Sequence, residues 1–327
     1  MIIETCNLTK AYRRYEKEAG FLGSVKALFK RDYSIKTALA NFDLSVGEGE
    51  FVGLIGPNGA GKTTLVKMLT GIIAPTTGSL SVMGYYPNKL ENGFKKQYAV
   101  VMGQKSQLFF ELTPSDTFLL FKELYGISDE EYKRSVSYFT DLFDVSKYLN
   151  VQVRTLSLGE RMKMELIVAL LHNPKILFLD EPTIGLDAVA QKQVRSFLKE
   201  VNKTKGTTIL LTSHYMEDIK SLCRRCVVVK SGEKIYDGET DALFERYQKY
   251  KKITLSLEHN IRISLPPECE IVEENGYKLI FFIPKEQAQV VLKLLMEYPE
   301  LRDISIEEEE IGSVVERIYR DTKAVAP

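Results

Sequence analysis

Between residues 51 and 72 the chain changes its hydrophobic period within a few positions. Phe51 to Ile55 form a short apolar run, a glycine-rich loop follows, and Leu65, Met68, Leu69 and Ile72 then recur at helical spacing. The pattern predicts strand, loop, helix. IIETCNL within residues 1–12 predicts another strand, and residues 38–84 alternate short strands and turns around the glycine loop. Residues 100–104 are a further apolar run that ends in Gln104. Helical periodicity then dominates to about residue 172, giving an expected helical subdomain over about 105–172. Phe118, Leu119, Phe121, Leu124 and Tyr125, then Tyr132, Val136, Phe139, Leu142 and Phe143, are expected to form its core. Residues 176–179 and Thr208–Thr212 have the apolar character of central parallel strands covered on both faces.

Two stretches depart from this rhythm. In residues 13–37, Phe21, Leu22, Val25, Leu28 and Phe29 make one apolar helical face among Arg13, Arg14, Lys17, Lys26, Lys30 and Arg31. A basic amphipathic insertion of this kind lies on a membrane surface, docks on a partner helix or packs on its own domain. Beyond residue 245 the period shortens to two: Ile253, Leu255 and Leu257 alternate, as do Ile261, Ile263 and Leu265. Asn275-Gly276 between apolar runs signals a hairpin. A helix at about 285–297, a strand at 303–307 and a last helix at 311–321 complete a small α+β domain over 246–327, with the acidic run 307–310 as a solvated edge. The first domain is expected over 1–245.

A length of 327 residues suits two domains of this size. Lys+Arg and Asp+Glu are both 44, so the net charge gives no pull toward nucleic acid, and no nucleic-acid partner is expected. No apolar run approaches the roughly 18 residues of a membrane span, and the N-terminus lacks the zones of a signal peptide, so a cytoplasmic protein is expected. Cys223 and Cys226 have redox or metal spacing. No second Cys/His pair lies nearby, and Cys226 opens an apolar run, so one helix-end and one core cysteine are expected. His172 and His259 read as packing or surface residues.

The chemistry concentrates on the glycine loop. Gly56, Gly59 and Gly61 let the backbone wrap a polyphosphate closely and aim N–H groups at it. The helix starting near Lys62 adds its dipole, Lys62 a full positive charge, and Thr63 a hydroxyl suited to Mg²⁺. Asp180 and Glu181 end the 176–179 run, at the carboxyl end of a predicted strand where ligands of such sheets bind. There Asp180 suits Mg²⁺, and Glu181 suits a base for an attacking water. His214 follows the Thr208–Thr212 run in the same way and is placed to reach a γ-phosphate. Ser157 and Gly159 sit where a loop opens a helix, a second candidate anion site.

In this order the motifs resemble the ATPase subunit of ATP-binding-cassette (ABC) transporters, over about residues 1–245. GPNGAGKTT, residues Gly56, Pro57, Asn58, Gly59, Ala60, Gly61, Lys62, Thr63 and Thr64, looks like the Walker A motif. Gln104 matches the Q-loop glutamine, LSLGE at 156–160 resembles the LSGGQ signature, and ILFLDEP at 176–182 is similar to Walker B. Gly185-Leu186-Asp187 looks like the D-loop, His214 the switch histidine, and Tyr12 the aromatic that stacks on adenine. The signature departs from LSGGQ at Leu158 and Glu160.

The resemblance implies an α/β P-loop NTPase fold with a mixed sheet core and a helical subdomain, ATP and Mg²⁺ as cofactors, and ATP hydrolysis with Lys62, Glu181 and His214 as catalytic residues. Mg²⁺ is expected on Thr63, Gln104 and Asp180. Ser157, Gly159 and Glu160 of the signature are expected to meet the nucleotide held by a second ATPase subunit, and Asp187 is expected among the nucleotide-binding residues. Separate transmembrane permease subunits are the expected partners, on the cytoplasmic face of the membrane. Export is favoured by the single cassette and the C-terminal appendage. The other class is a soluble mechanical ATPase of the same superfamily. Those acting on ribosomes usually carry two cassettes and DNA-organising ones a long coiled coil, whereas this chain has one intact cassette and no sustained heptads.

Overall fold

The computed structural model describes residues 1–15, 33–103, 105–213, 215–259 and 263–309. Gln104, His214, the apolar face of the expected insertion and the expected last helix lie outside the described residues. The chain divides into two units, the first running to Gly238 and the second beginning at Glu239, ahead of the expected boundary at 245.

The first unit begins with a long antiparallel pair. β1 (Ile3–Tyr15) runs against β2 (Tyr33–Val46) from Ile3↔Val46 to Tyr15↔Tyr33, and β4 (Thr77–Val82) pairs on the other edge of β1. The ladder reaches into the stretch expected as an insertion. Arg13 faces Ile35 and Arg14 faces Ser34, so both ends of 13–37 are strand. β-branched and aromatic residues such as Tyr33, Ile35 and Thr37 favour that ladder.

β3 (Phe51–Ile55), buried at all five positions, lies inside a six-stranded sheet. The order is β5-β6-β7-β3-β8-β9, with β5 (Tyr98–Met102), β6 (Ile176–Asp180), β7 (Thr208–Thr212), β8 (Arg225–Lys230) and β9 (Glu233–Glu239). The register is parallel from β5 through β8, and Met102 pairs with Asp180, Asp180 with Thr212, and Leu54 with Thr212. The carboxyl ends of these five strands therefore form one rim, and Gly56, Gly103, Glu181, Ser213 and Ser231 are the first residues beyond it.

Seven helices accompany these strands among the described residues: α1 (Lys62–Leu69), α2 (Asn92–Lys95), α3 (Pro114–Tyr125), α4 (Asp129–Phe143), α5 (Leu158–Leu170), α6 (Ala188–Lys205) and α7 (Met216–Leu222). α1 is buried between the two sheets. Leu65, Met68 and Leu69 pack with Ile3, Phe42 and Val46 of the antiparallel sheet and with Leu54, Phe178 and Leu210 of the parallel one. α3 starts with a reciprocal Thr113–Asp116 capping box and Pro114 in its first turn, and ends at Gly126 in left-handed backbone.

The helical subdomain keeps part of its expected core. Phe118, Phe139 and Phe143 are buried, and Phe143 stacks on Phe197 of α6 with centroids 3.7 Å apart. Leu119, Leu124 and Leu142 are 49%, 67% and 40% exposed, which corrects the expectation that they are core. α3 carries apolar residues on two stripes, and the stripe through Phe118, Phe121 and Tyr125 faces inward. Cys223 caps the end of α7 and Cys226 lies in β8, both buried.

The second unit comprises α8 (Thr240–Tyr247), β10 (Tyr250–Leu257), β11 (Glu270–Glu274), β12 (Lys278–Pro284), α9 (Ala288–Leu295) and β13 (Leu301–Glu308). Its antiparallel sheet has the order β11-β12-β10-β13. Ile253, Leu255, Leu279, Phe281 and Ile283 form its core with Val291 and Leu295 of α9. At the β11–β12 hairpin the Asn275 side chain accepts the Lys278 N–H at 2.8 Å. Ile263 and Leu265 pack against this core without forming a strand. Glu309, expected on a solvated edge, is buried, and its carbonyl accepts a bond from Gln248 Nε2 at 3.3 Å.

Candidate nucleotide site

The loop between β3 and α1 is closed by its glycines. Gly61 has φ 113°, and a Cβ there would stand 2.5 Å from the Ala38 carbonyl. A Cβ on Gly56 would stand 2.6 Å from the Val229 carbonyl. No side chain fits at either place without moving backbone. The β8–β9 turn supports the loop through Gly232 N–H donating to Ala60 O at 2.9 Å.

Lys62 is buried, and its Nζ donates to Gly56 O at 2.5 Å and Pro57 O at 3.2 Å. Burial lowers its pKa, and the nearby Glu181 and Asp180 carboxylates oppose that shift. The ammonium thus sits folded back on loop carbonyls, a cation held at the mouth of an anion cradle.

Asp180, at the end of β6, accepts from two hydroxyls. Thr63 Oγ1 lies 3.0 Å from Oδ2, and Thr212 Oγ1 lies 2.5 Å from Oδ1. Glu181 follows with φ 54°, left-handed backbone that a non-glycine residue occupies only under strain. Its N–H donates to Thr212 O at 3.0 Å. Gly103 makes room for it, because a Cβ there would stand 2.4 Å from the Glu181 carbonyl.

A cavity of about 530 Å³ opens over the loop, a size suited to a nucleotide. Tyr12, residues 58–64 and Glu181 line it. Arg13, Arg14 and Lys36 line it too. A second cavity of about 420 Å³ shares Asn58, Thr63 and Glu181 and adds Asp180 and Lys105. Tyr12 is 39% exposed, with Lys10 Nζ 5.2 Å from its ring centre.

The other expected site residues stand elsewhere. Ser157 and Glu160 form a capping box at the start of α5: the Glu160 carboxylate accepts Ser157 N–H at 2.9 Å, and Ser157 Oγ accepts Glu160 N–H at 3.3 Å. Bonds from Tyr148 first, then Ser157, lower the Glu160 pKa. Asp187 caps α6 by accepting Ala190 N–H at 2.8 Å. The two helix starts touch, for a Cβ on Gly159 would meet Ala190 Cβ at 2.9 Å and one on Gly185 would meet Leu158 Cδ2 at 3.2 Å. Ser157, Gly159, Glu160 and Asp187 line neither cavity.

A family profile described as ABC transporter matches residues 39–184. The chain is 33% identical over 217 residues to the ABC transporter ATP-binding protein NatA of Bacillus subtilis (strain 168), covering 66% of this chain and 88% of that protein. The chain belongs to the ABC transporter ATP-binding proteins. It is an ATPase, and ATP is its nucleotide. This ABC ATPase is also 29% identical over 283 residues to the Nod factor export ATP-binding protein I of Rhizobium etli, covering 84% of this chain and 89% of that one. Its fold matches the solved dimeric structure of a post-hydrolysis state of the ATP-binding cassette MJ0796 bound to ADP and Pi, with TM-score 0.59, 25% identity and 72% and 98% of the two chains covered.

The ABC motifs left some contributors unmarked. Thr212, which holds Asp180, shows itself only as the last residue of an apolar run. Arg13 and Arg14 directly follow Tyr12 in sequence, but only the β1–β2 register brings Lys36, opposite Tyr12, beside them. Glu165 of α5 is buried, and its carboxylate accepts the Ser106 hydroxyl and the Gln107 N–H, fixing the residues that follow position 104.

Proposed function

We propose that this ABC ATPase works as one of two cassettes facing head-to-tail, closing around two ATP molecules to drive export through separate membrane-spanning subunits. The carrying observation is the split of its motifs. Tyr12, the glycine loop and Glu181 surround one cavity, while Ser157, Gly159, Glu160 and Asp187 line neither cavity. A second cassette's signature completes such a half-site, and the MJ0796 cassette is itself dimeric in the structure bound to ADP and Pi.

In this reading Tyr12 stacks on adenine, and the 56–64 loop with Lys62 holds the phosphates. Thr63 and Asp180, with Gln104, hold Mg²⁺. Their hydroxyl and carboxylate, 3.0 Å apart, are the hard oxygen donors this ion takes alongside phosphate and water. Bound Mg²⁺ supplies charge neutralisation at the β- and γ-phosphates. Glu181 orients and deprotonates the attacking water, and His214 contacts the γ-phosphate. Loss of the γ-phosphate removes contacts made from both cassettes, and the pair opens.

Among the described residues no helix is long and apolar enough to cross a membrane. Phe109, Phe110 and Leu112, with Leu119, Leu120 and Leu124 of α3, are 41–67% exposed, and these exposed apolar side chains support docking of membrane subunits on the cytoplasmic face. Export follows the relative whose name is Nod factor export ATP-binding protein I. The unit from Glu239 acts as an accessory or regulatory domain.

The test is Glu181→Gln in the full chain. ATP should convert it to a stable dimer in size-exclusion chromatography, with hydrolysis nearly abolished. A variant that remains monomeric and fully active would overturn the assignment.

A further inference from the structure

One fully buried carboxylate joins three segments that carry site residues. Asp218, on α7, is 0% exposed. Its Oδ2 accepts Thr183 Oγ1 at 2.5 Å and Ser213 Oγ at 3.1 Å, and its Oδ1 accepts Arg195 Nη1 at 2.9 Å. Thr183 lies two residues beyond Glu181. Ser213 precedes position 214, and its Oγ also accepts the Tyr215 N–H at 2.9 Å, so one hydroxyl ties both neighbours of that position. Arg195 belongs to α6, the helix that Asp187 caps.

We propose that Asp218 is a positioning residue for ATP hydrolysis. It holds the turn after Glu181, Ser213 with its bond to Tyr215, and the helix behind Asp187 together, without lining a nucleotide cavity. The inference rests on the roles assigned above to Glu181 and His214. Glu181 stands at φ 54°, and such backbone persists only where its surroundings over-determine it. The Thr183 bond to a charged acceptor is a restraint of that kind, two residues from the strained position. Arg195 offsets the cost of burying the charge, which would otherwise favour an apolar residue at position 218. Asp218 lines neither nucleotide cavity, so its removal should leave ATP binding intact and slow turnover. Misplacement of catalytic groups by about 1 Å is enough to cost roughly a hundredfold in rate.

The experiment measures ATP affinity, kcat and melting temperature for the full chain and its variants. Thr183→Val and Ser213→Ala are each expected to lower kcat by about tenfold or more with the ATP Kd changed by less than about threefold. Thr183→Ser should recover kcat, because it restores the hydroxyl. In an Asp218→Asn background, Thr183→Val should lower kcat no further, since the two changes remove one connection. If Asp218→Asn does not fold, the Thr183→Val/Ser213→Ala double variant serves instead, and its loss should be less than the product of the single losses. Unchanged kcat in Thr183→Val, no recovery in Thr183→Ser, or fully multiplicative losses would each overturn the proposal. Glu181→Gln is measured alongside; if it keeps turnover, the catalytic assignment falls, whatever the Thr183 and Ser213 variants show.

Discussion

Thr63 Oγ1 donates to Asp180 Oδ2 across 3.0 Å, joining the start of α1 to the end of β6 over 117 residues of chain. Thr212 donates to the other carboxylate oxygen at 2.5 Å, so Asp180 is aimed by hydroxyls from two sides. Asp180 and the Thr63 hydroxyl are, with Gln104, the proposed Mg²⁺ ligands. Asp180→Asn keeps the shape and removes the charge. It should raise the Mg²⁺ concentration for half-maximal ATPase activity by about tenfold or more, with nucleotide binding in EDTA much less affected. Thr212→Val should shift the same titration in the same direction by a smaller factor. A Mg²⁺ titration that superposes on that of the native protein would remove Asp180 from the metal site.

Tyr12 offers a half-exposed ring at the rim of the larger cavity. If adenine stacks on it, Tyr12→Ala should weaken ATP binding by about five- to tenfold, while Tyr12→Phe and Tyr12→Trp stay near the native value. The loss should appear in Kd and leave kcat at saturating ATP nearly unchanged. Equal affinities for all three variants would place the base elsewhere.

The signature start has a structural task of its own beside the proposed one. Ser157 and Glu160 cap α5 reciprocally, so Glu160 has a structural partner whatever it meets across a dimer. Glu160→Gln preserves a capping box and should change stability by no more than about 0.5 kcal/mol. Ser157→Ala loses the cap at a cost of about 1 kcal/mol and should also suppress the ATP-dependent dimer of Glu181→Gln. Thermal melts separate the first effect from the second, which chromatography reads. An undiminished dimer in the Ser157→Ala/Glu181→Gln variant would show that the signature does not close the partner's site.

The strand–loop–helix around the nucleotide was legible because the hydrophobic period changes abruptly at Gly56 and because Asp180 and Glu181 directly follow a fully buried run. Each is a local signal. What was not legible depends on which of two similar residues turns inward. Glu217 and Asp218 are adjacent acids on α7, yet their side chains are 73% and 1% exposed. Leu119 and Leu124 share α3 with buried Phe118, and only packing against the rest of the subdomain decides which stripe is core. The place of Lys36 beside Tyr12 depended on strand register, which a sequence with charges on both strands does not mark.

His172 is expected to couple stability to mild acid. Its ring stacks on Tyr125 with centroids 3.9 Å apart, and Nε2 bonds the Tyr98 carbonyl at 3.2 Å. A carbonyl only accepts, so Nε2 carries the proton and the neutral ring leaves Nδ1 as a lone pair, buried without a hydrogen-bond partner. Protonating Nδ1 would bury a charge with no acceptor, and burial pushes the pKa down to about 4, against the smaller opposing pull of the Tyr98 carbonyl. Between about pH 6.5 and 4 the unfolded chain binds a proton that the folded chain refuses. Stability therefore falls as pH falls through that window and is unaffected by this group above it. The full loss is about 3 kcal/mol, of which about 2 kcal/mol is reached by pH 5. His172→Gln can still donate to Tyr98 and does not titrate. Denaturant unfolding of the first unit at pH 7 and pH 5 should show the native protein losing about 2 kcal/mol more than the variant. Identical pH slopes in the two proteins would mean that His172 is not buried in its neutral form.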